Sequence, residues 1–377
     1  MNLSSTPITT THHQQLFFGN ISNLSSHYPQ SSAKNTLHTN HQQQLDIMST
    51  TWNPTGAEII DVGGSQIKSS IDEDLKAAFK GEGSFFPKEL AYSDEGMRLW
   101  NQISAGSYQT SDELALIKAT AAEVVALLPS GTTLIDLGSA SSLKYIDYVA
   151  EFRKQGKRCY YVPLDLNRES LLAQVQSAKA TFPGLAAVGL WGNFEQGDRF
   201  YDQIPAPRCY LSMGSIFFNA PVKMANKRCA ELRTHLSPAC MMIVGQDGPS
   251  GEADQTRAHA AYGTPAYVEF LNHYLRAVAE RAGIKEIPKN ADPRQYWDIE
   301  SKSIASKHMF LATTKIPMVC TKFGNLKIPA GKTFEMFPSW KPSPEAIANI
   351  ASENGLYIRI LGKAPNSGMR QFLLQRK

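Results

Sequence analysis

Long apolar runs, basic blocks and paired cysteines are all missing from this 377-residue chain. Without a stretch of about 18 consecutive apolar residues, no segment reads as a membrane-spanning helix, and no membrane partner is expected. The formal net charge is only +4. No basic cluster interleaves with aromatics, so a nucleic-acid partner is not expected either. The five cysteines (Cys159, Cys209, Cys229, Cys240 and Cys320) are odd in number and contain no C-x-x-C pair. That excludes a disulfide framework and a zinc-type spacing, so no metal is expected, and reduced thiols imply a cytoplasmic protein. Charge is absent from the first fifty residues apart from Lys34 and Asp46, and Arg is absent altogether. A mitochondrial presequence needs arginines, and a secretory signal needs a longer apolar core than Leu16-Phe17-Phe18. So polar a segment cannot bury enough surface to offset its ordering entropy, and a disordered tail is expected over residues 1–68.

What is present is an alternating pattern. Hydrophobic residues make up 42% of the chain, enough for one large or two modest domains. Residues 69–128 carry three helical segments, expected to form part of a substrate lid: 69–81, closed by Gly81; 93–104, opened by Ser93; and the long periodic 111–128. From 129 to 247 apolar strands alternate with helices: TTLIDLG, CYYVPLD, AAVGLWG, RCYLSMGS and ACMMIVGQD are the strands. That rhythm predicts an α/β fold with a doubly covered parallel sheet. It breaks after Asp247. Residues 248–340 hold a helix and a β-rich stretch expected to form a small α+β lid, and 341–377 return as a helix and a closing strand pair.

In an open parallel sheet, ligands sit beyond the C-terminal strand ends. The first strand ends on Gly138 and Ser139. The second ends on Asp165, 27 positions after Gly138, where a carboxylate can accept both hydroxyls of a ribose. The third leads into Asn193 and Phe194, an amide and a ring suited to the edge and face of adenine. A nicotinamide dinucleotide and S-adenosylmethionine both fit these features. The dinucleotide needs a pyrophosphate cradle, and the second glycine of its fingerprint is replaced here, after Gly138, by Ser139 and Ala140. S-adenosylmethionine has no phosphate to cradle. Together with the closing strand pair, this favours a class I, Rossmann-like methyltransferase sheet carrying a smaller substrate-binding lid.

The segments YSDEGMRLWNQI, LIDLGSASSLKYI, VPLDLN, GNFEQG, GSIFFN, GQDG and PSWKPSPEAIANIASENGL, in this order, resemble the histidine-specific methyltransferase-like family over residues 85–377. That family includes ergothioneine-pathway histidine Nα-methyltransferases and fungal dimethylallyltryptophan N-methyltransferases. The resemblance implies S-adenosylmethionine as cofactor, held by Gly138, Ser139, Lys144, Asp165, Asn193 and Phe194. It implies Tyr92 and Asn219 as the residues orienting the acceptor, with Tyr108, Asn219, Phe337 and Ser339 lining its site. Two departures stand out. The family's Tyr-Tyr-Pro-Thr-Arg-like segment is Ser107-Tyr108-Gln109-Thr110-Ser111 here. The glutamate that helps histidine-specific members hold imidazole, two positions before the serine, is Phe337. Phe337 cannot accept an imidazole N–H, so the resemblance points to N-methylation of a small aromatic amino acid, derivative or amine in alkaloid-like secondary metabolism. The alternatives are O- or C-methylation, or an inactive cofactor-binding homologue. A monomer or homodimer is expected. No dedicated general base stands out; Asp247, at the end of the fifth strand, is read either as assisting the reaction or, in preference, as capping a turn.

Overall fold

The computed structural model describes residues 58–377 apart from 84, 140–142, 249, 250 and 305; the side chains of residues 67–70 also lie outside the description. The chain opens with β1 (Ile59–Asp61) and α1 (Ile67–Lys80), which stops on left-handed Gly81. Next come α2 (Asp94–Gly106), whose N-cap Ser93 accepts the Gly96 N–H, and α3 (Tyr108–Leu127), capped by Ser107. The alternation follows: β2 (Thr132–Leu137), α4 (Ile146–Lys154), β3 (Cys159–Asp165) and α5 (Arg168–Thr181). Then come β4 (Ala186–Ala187), β5 (Gly189–Trp191), α6 (Phe194–Asp198), β6 (Arg208–Ser212), α7 (Val222–His235) and β7 (Met241–Asp247). Helices α8 (Glu252–Ala260) and α9 (Pro265–Ala282) lead into β8 (Trp297–Ile304) and β9 (Lys307–Thr314). Strands β10 (Met318–Cys320), β11 (Leu326–Ile328) and β12 (Thr333–Trp340) complete this part. The last elements are α10 (Pro344–Glu353), β13 (Leu356–Lys363) and β14 (Met369–Arg376).

The main sheet has the order β1-β5-β3-β2-β6-β7-β14-β13, with β4 also pairing β3. Strands β1 to β7 run parallel, β14 is antiparallel to β7, and β13 is antiparallel to β14. Chain order reverses at β2, with β3 on one side and β6 on the other, which opens a crevice at their C-terminal ends. Strands β2, β6 and β7 are buried along their whole length, which is why they read as continuous apolar runs. Apolar cores fill both faces of the sheet.

A third core joins α1, α2 and α9 to β8, β9 and β12. Its centre is aromatic. Phe86 stacks on Phe334 with ring centroids 5.2 Å apart, and Trp297 meets both rings edge-on. Strands β12, β9 and β8 form an antiparallel sheet in that order.

Three expectations need correction. Residues 59–61, placed in the tail, form β1 and pair with Gly189–Trp191; the rest of the expected tail, up to residue 57, lies outside the described residues. Three residues are too few to show a period, so this strand was invisible in the pattern. The segment AAVGLWG is two strands, because Val188 steps out between the β3–β4 and β3–β5 pairings. Helix α8 was not expected. Its sequence EADQTRAHA buries only Ala258 and so carries no apolar stripe.

Candidate active site

At the end of β2 the chain turns through Gly138 at φ +69°, and the N–H groups of Gly138 and Ser139 both donate to the Leu164 carbonyl at 2.9 and 3.2 Å. A Cβ at Gly138 would lie 2.8 Å from Ile216 Cδ1 and 3.5 Å from Phe194 Cζ. The loops after β2, β5 and β6 therefore converge on a position that only glycine fits. The Ser139 side chain is buried, and its Oγ has no hydrogen-bond partner among the described residues. Asp165 ends β3, buried, with Oδ1 accepting the Asn167 N–H at 2.9 Å. Asn167 in turn caps α5 and donates to Asp94 at the start of α2 at 2.6 Å, tying the ribose-type carboxylate to the lid helices.

Asn193 is the N-cap of α6, and its Oδ1 accepts the Gln196 N–H at 2.9 Å in a capping box. That oxygen serves the helix, which leaves the amide NH2 as the part of Asn193 suited to a base. Phe194 lies half-buried, with the Lys88 Nζ 6.0 Å from its ring. Lys144 precedes α4, is 14% exposed, and pairs at 2.6 Å with Glu113, which is almost fully buried. Both Glu113 oxygens also accept the Gly214 N–H, at 2.8 and 2.9 Å. Lys144 thus sits beside the end of β6, held by a carboxylate that the sequence reading overlooked.

Of the residues expected to face the acceptor, Tyr92 and Phe337 pack against the third core. Tyr92 packs edge-on against Trp100 and beside Phe270. Burial, together with the charges of Asp165 and Glu89, pushes its phenol pKa up, so it stays protonated. Asn219 lies two residues before Pro221, the N-cap of α7. Its Oδ1 accepts the Trp340 N–H from β12 at 2.7 Å. Tyr108 opens α3 and donates through its hydroxyl to Asp247 Oδ2 at 2.7 Å.

Phe337 owes its position to a bulge. Between the pairs Glu335–Leu311 and Pro338–Met309 the register of β12 against β9 slips. Pro338 cannot donate to the ladder, and a bulge is where proline is tolerated. The Phe337 ring is thereby set beside Phe310 at 5.2 Å and Phe270 at 6.2 Å. The Ser339 hydroxyl meets the Tyr262 hydroxyl at 2.5 Å.

Asp247 ends β7, as the fifth apolar run implied, but it is buried there, and its Oδ2 also receives Gln109 Nε2 at 2.6 Å and Lys341 Nζ at 2.7 Å. Burial works to raise its pKa, but the Lys341 ammonium and the hydroxyl and amide donors overrule it and hold the carboxyl below the usual range. Burial likewise disfavours the Lys341 ammonium, and the neighbouring Tyr262 and Asp247 hold it charged. His308, in β9, stacks on Tyr262 with centroids 4.1 Å apart.

A family model described as histidine-specific methyltransferase, SAM-dependent, matches residues 67–376. The chain belongs to this family of S-adenosylmethionine-dependent methyltransferases. It is 27% identical to 4-dimethylallyltryptophan N-methyltransferase easF of Arthroderma benhamiae over 228 residues, which span 57% of this chain and 67% of the relative. It is 27% identical to ergothioneine biosynthesis protein 1 of Neurospora crassa over 241 residues, 61% of this chain and 27% of that protein. Between a third and nearly three quarters of these relatives thus lies outside the matched spans. DesVI of Streptomyces venezuelae aligns over 76% of this chain and all of its own, at 12% identity and a TM-score of 0.35. That likeness is loose. The class I sheet is read from the strand order itself, with its antiparallel closing pair.

The family's cofactor fits the residues present. The Ser139 Oγ, without a partner among the described residues, and the Cβ-free approach at Gly138 lie at the strand-end crevice, beside the buried carboxylate of Asp165. Lys144, a cation at this edge, is paired with Glu113.

Proposed function

We propose that the chain is an S-adenosylmethionine-dependent N-methyltransferase whose acceptor is the amino group of an aromatic amino acid or a derivative of one, in alkaloid-type secondary metabolism. The observation that carries the acceptor class is the bulge in β12, which sets Phe337 against Phe310 and Phe270 beside Ser339. The wall there is a set of rings, continued by Tyr262, Tyr267 and Tyr92. Rings of this kind favour offset or edge contacts with another aromatic group, and they present no anion to an imidazole N–H. The relatives named for 4-dimethylallyltryptophan support the same class.

Gly138, Ser139, Lys144, Asp165, Asn193 and Phe194 would hold the cofactor, which when bound supplies an electrophilic methyl group. The chain's own part is positional. Tyr92 and Asn219 orient the amine, and Tyr108 and Ser339 fix the rest of the acceptor. Holding nitrogen and methyl in line supplies up to roughly 7–11 kcal/mol of barrier lowering without a covalent step. The apolar lid favours the uncharged amine, because burial penalises the ammonium.

The test begins with calorimetric titration of S-adenosylhomocysteine into wild type and Asp165→Ala. Binding should be clear in the wild type and weakened by about 100-fold or more in the variant, the loss of a buried charged acceptor being worth about 3 kcal/mol. Methyl transfer is then followed on 4-dimethylallyltryptophan, L-tryptophan, tryptamine and L-histidine. Transfer to the indoles and none to histidine is expected. Preference for histidine would overturn the acceptor class, and binding without any transfer would favour the inactive homologue.

A further inference from the structure

Three consecutive residues, the last two of β12 and the one after it, tie this strand end to three separate segments. Ser339 meets Tyr262, between α8 and α9, hydroxyl to hydroxyl at 2.5 Å. The Trp340 N–H donates to Asn219, after β6, at 2.7 Å. The Lys341 ammonium donates to Asp247, at the end of β7, at 2.7 Å. The last contact is a buried ion pair, with side-chain exposures of 6% and 1%. Its carboxylate oxygen also receives the Tyr108 hydroxyl and the Gln109 amide from the first turn of α3. The ammonium lies 5.6 Å from the centre of the Tyr262 ring. Lys341 therefore touches, directly or through one atom, the partners of Tyr108 and Ser339, both of which line the acceptor site.

We propose that Lys341 is a positioning residue for methyl transfer, its ion pair with Asp247 latching the lid in the register that aligns the acceptor with the cofactor. This rests on the N-methyltransferase reading above. A buried pair is weak evidence for stability as such, although removing one partner alone leaves the other charge uncompensated. What the pair adds is direction. It fixes one oxygen of Asp247, and through that oxygen it fixes where the Tyr108 hydroxyl points. A misplacement of about 1 Å between reacting groups is enough to cost about 100-fold in rate.

The experiment compares wild type, Lys341→Met, Lys341→Arg and Asp247→Asn, using S-adenosylhomocysteine calorimetry and steady-state transfer to L-tryptophan or 4-dimethylallyltryptophan at saturating cofactor. Lys341→Met should bind S-adenosylhomocysteine within about threefold of wild type while kcat falls about 10–100-fold, and Lys341→Arg should recover part of that loss. Asp247→Asn should reproduce the loss, and it carries the test if Lys341→Met does not fold. Unchanged kcat in Lys341→Met or Asp247→Asn overturns the role. So does a loss of S-adenosylhomocysteine affinity as large as the loss of kcat, because that marks a merely structural residue. A wild type that binds S-adenosylhomocysteine but methylates no amine overturns the activity and this role together, whereas a variant equal to an active wild type overturns this role alone.

Discussion

His308 sits in β9 with only 4% of its surface exposed, its Nδ1 on the Ser303 hydroxyl at 2.6 Å and its Nε2 without a partner among the described residues. Burial lowers its pKa to about 4, and the nearby His259 ring and Lys341 ammonium push the same way. In the unfolded chain the ring titrates near its ordinary value of 6.5. Between these two values the unfolded state binds a proton that the folded state refuses. Stability is therefore full above the unfolded value, falls as pH drops from 6.5 toward 4, and levels off below that. The slope from this one group is at most about 1.4 kcal/mol per pH unit. His308→Phe keeps a ring on Tyr262 but has nothing to titrate. Urea unfolding at neutral pH and near pH 5 should show a smaller acid-induced loss for His308→Phe than for wild type. Parallel losses would mean that His308 is already charged, or not sequestered, in the folded state.

At the scale of elements, α3 and β7 interlock a second time, one turn further along α3 than the contacts of Tyr108 and Gln109 with Asp247. Glu113 starts the buried stripe of α3 that continues with Leu116, Ile117 and Thr120. It lies over Gly245, where a Cβ would fall 1.6 Å from its Oε1. Gly245→Ala must therefore rotate the carboxylate away from the Gly214 N–H and from Lys144, leaving buried partners unsatisfied. The expected cost is on the order of 2–4 kcal/mol in urea unfolding, together with weaker binding of S-adenosylhomocysteine. A variant as stable as wild type would show that Glu113 has another place to go. The strands on either side of this interlock were plain in the sequence, because β2, β6 and β7 are buried on both faces and need apolar residues throughout. The boundaries of β3 matched the apolar run CYYVPLD residue for residue. Glu113 left a fainter sign, an acid on an apolar stripe. The pair Lys341–Asp247 left almost none: its members are 94 positions apart, and only the fold shows that two strand ends meet. The bulge that aims Phe337 depends on pairing with β9, which no local pattern in β12 reveals.

For the molecule as a whole, the sheet does not end where the family match begins at residue 67. Strand β1 lies outside that match and pairs in parallel with β5, Ile59 to Gly189 through Asp61 to Trp191. The ladder is extended by Glu58, whose carbonyl accepts the Gly189 N–H, and by the Val62 N–H, which donates to the Trp191 carbonyl. The following turn closes over the site. The Gly63 carbonyl accepts Gln196 Nε2 at 2.8 Å, and Gln196 is the residue that completes the capping box with Asn193. Gly64 lies flat on the Trp191 ring, where a Cβ would fall 2.4 Å away. Nine residues, 58–66, thus cover an otherwise open sheet edge and brace the helix that carries Phe194. Two chains make the comparison, one starting at residue 58 and one at residue 67. The shorter should melt lower by on the order of 5 °C and aggregate more readily, because β5 then presents unpaired backbone groups at the edge. It should also bind S-adenosylhomocysteine more weakly, since Gln196 loses the carbonyl that holds it. A lower melting temperature with unchanged affinity would confine β1 to protecting the edge. Equal melting and equal affinity would show that β5 closes the sheet unaided and that the turn at 62–64 has no part in holding Asn193 and Phe194.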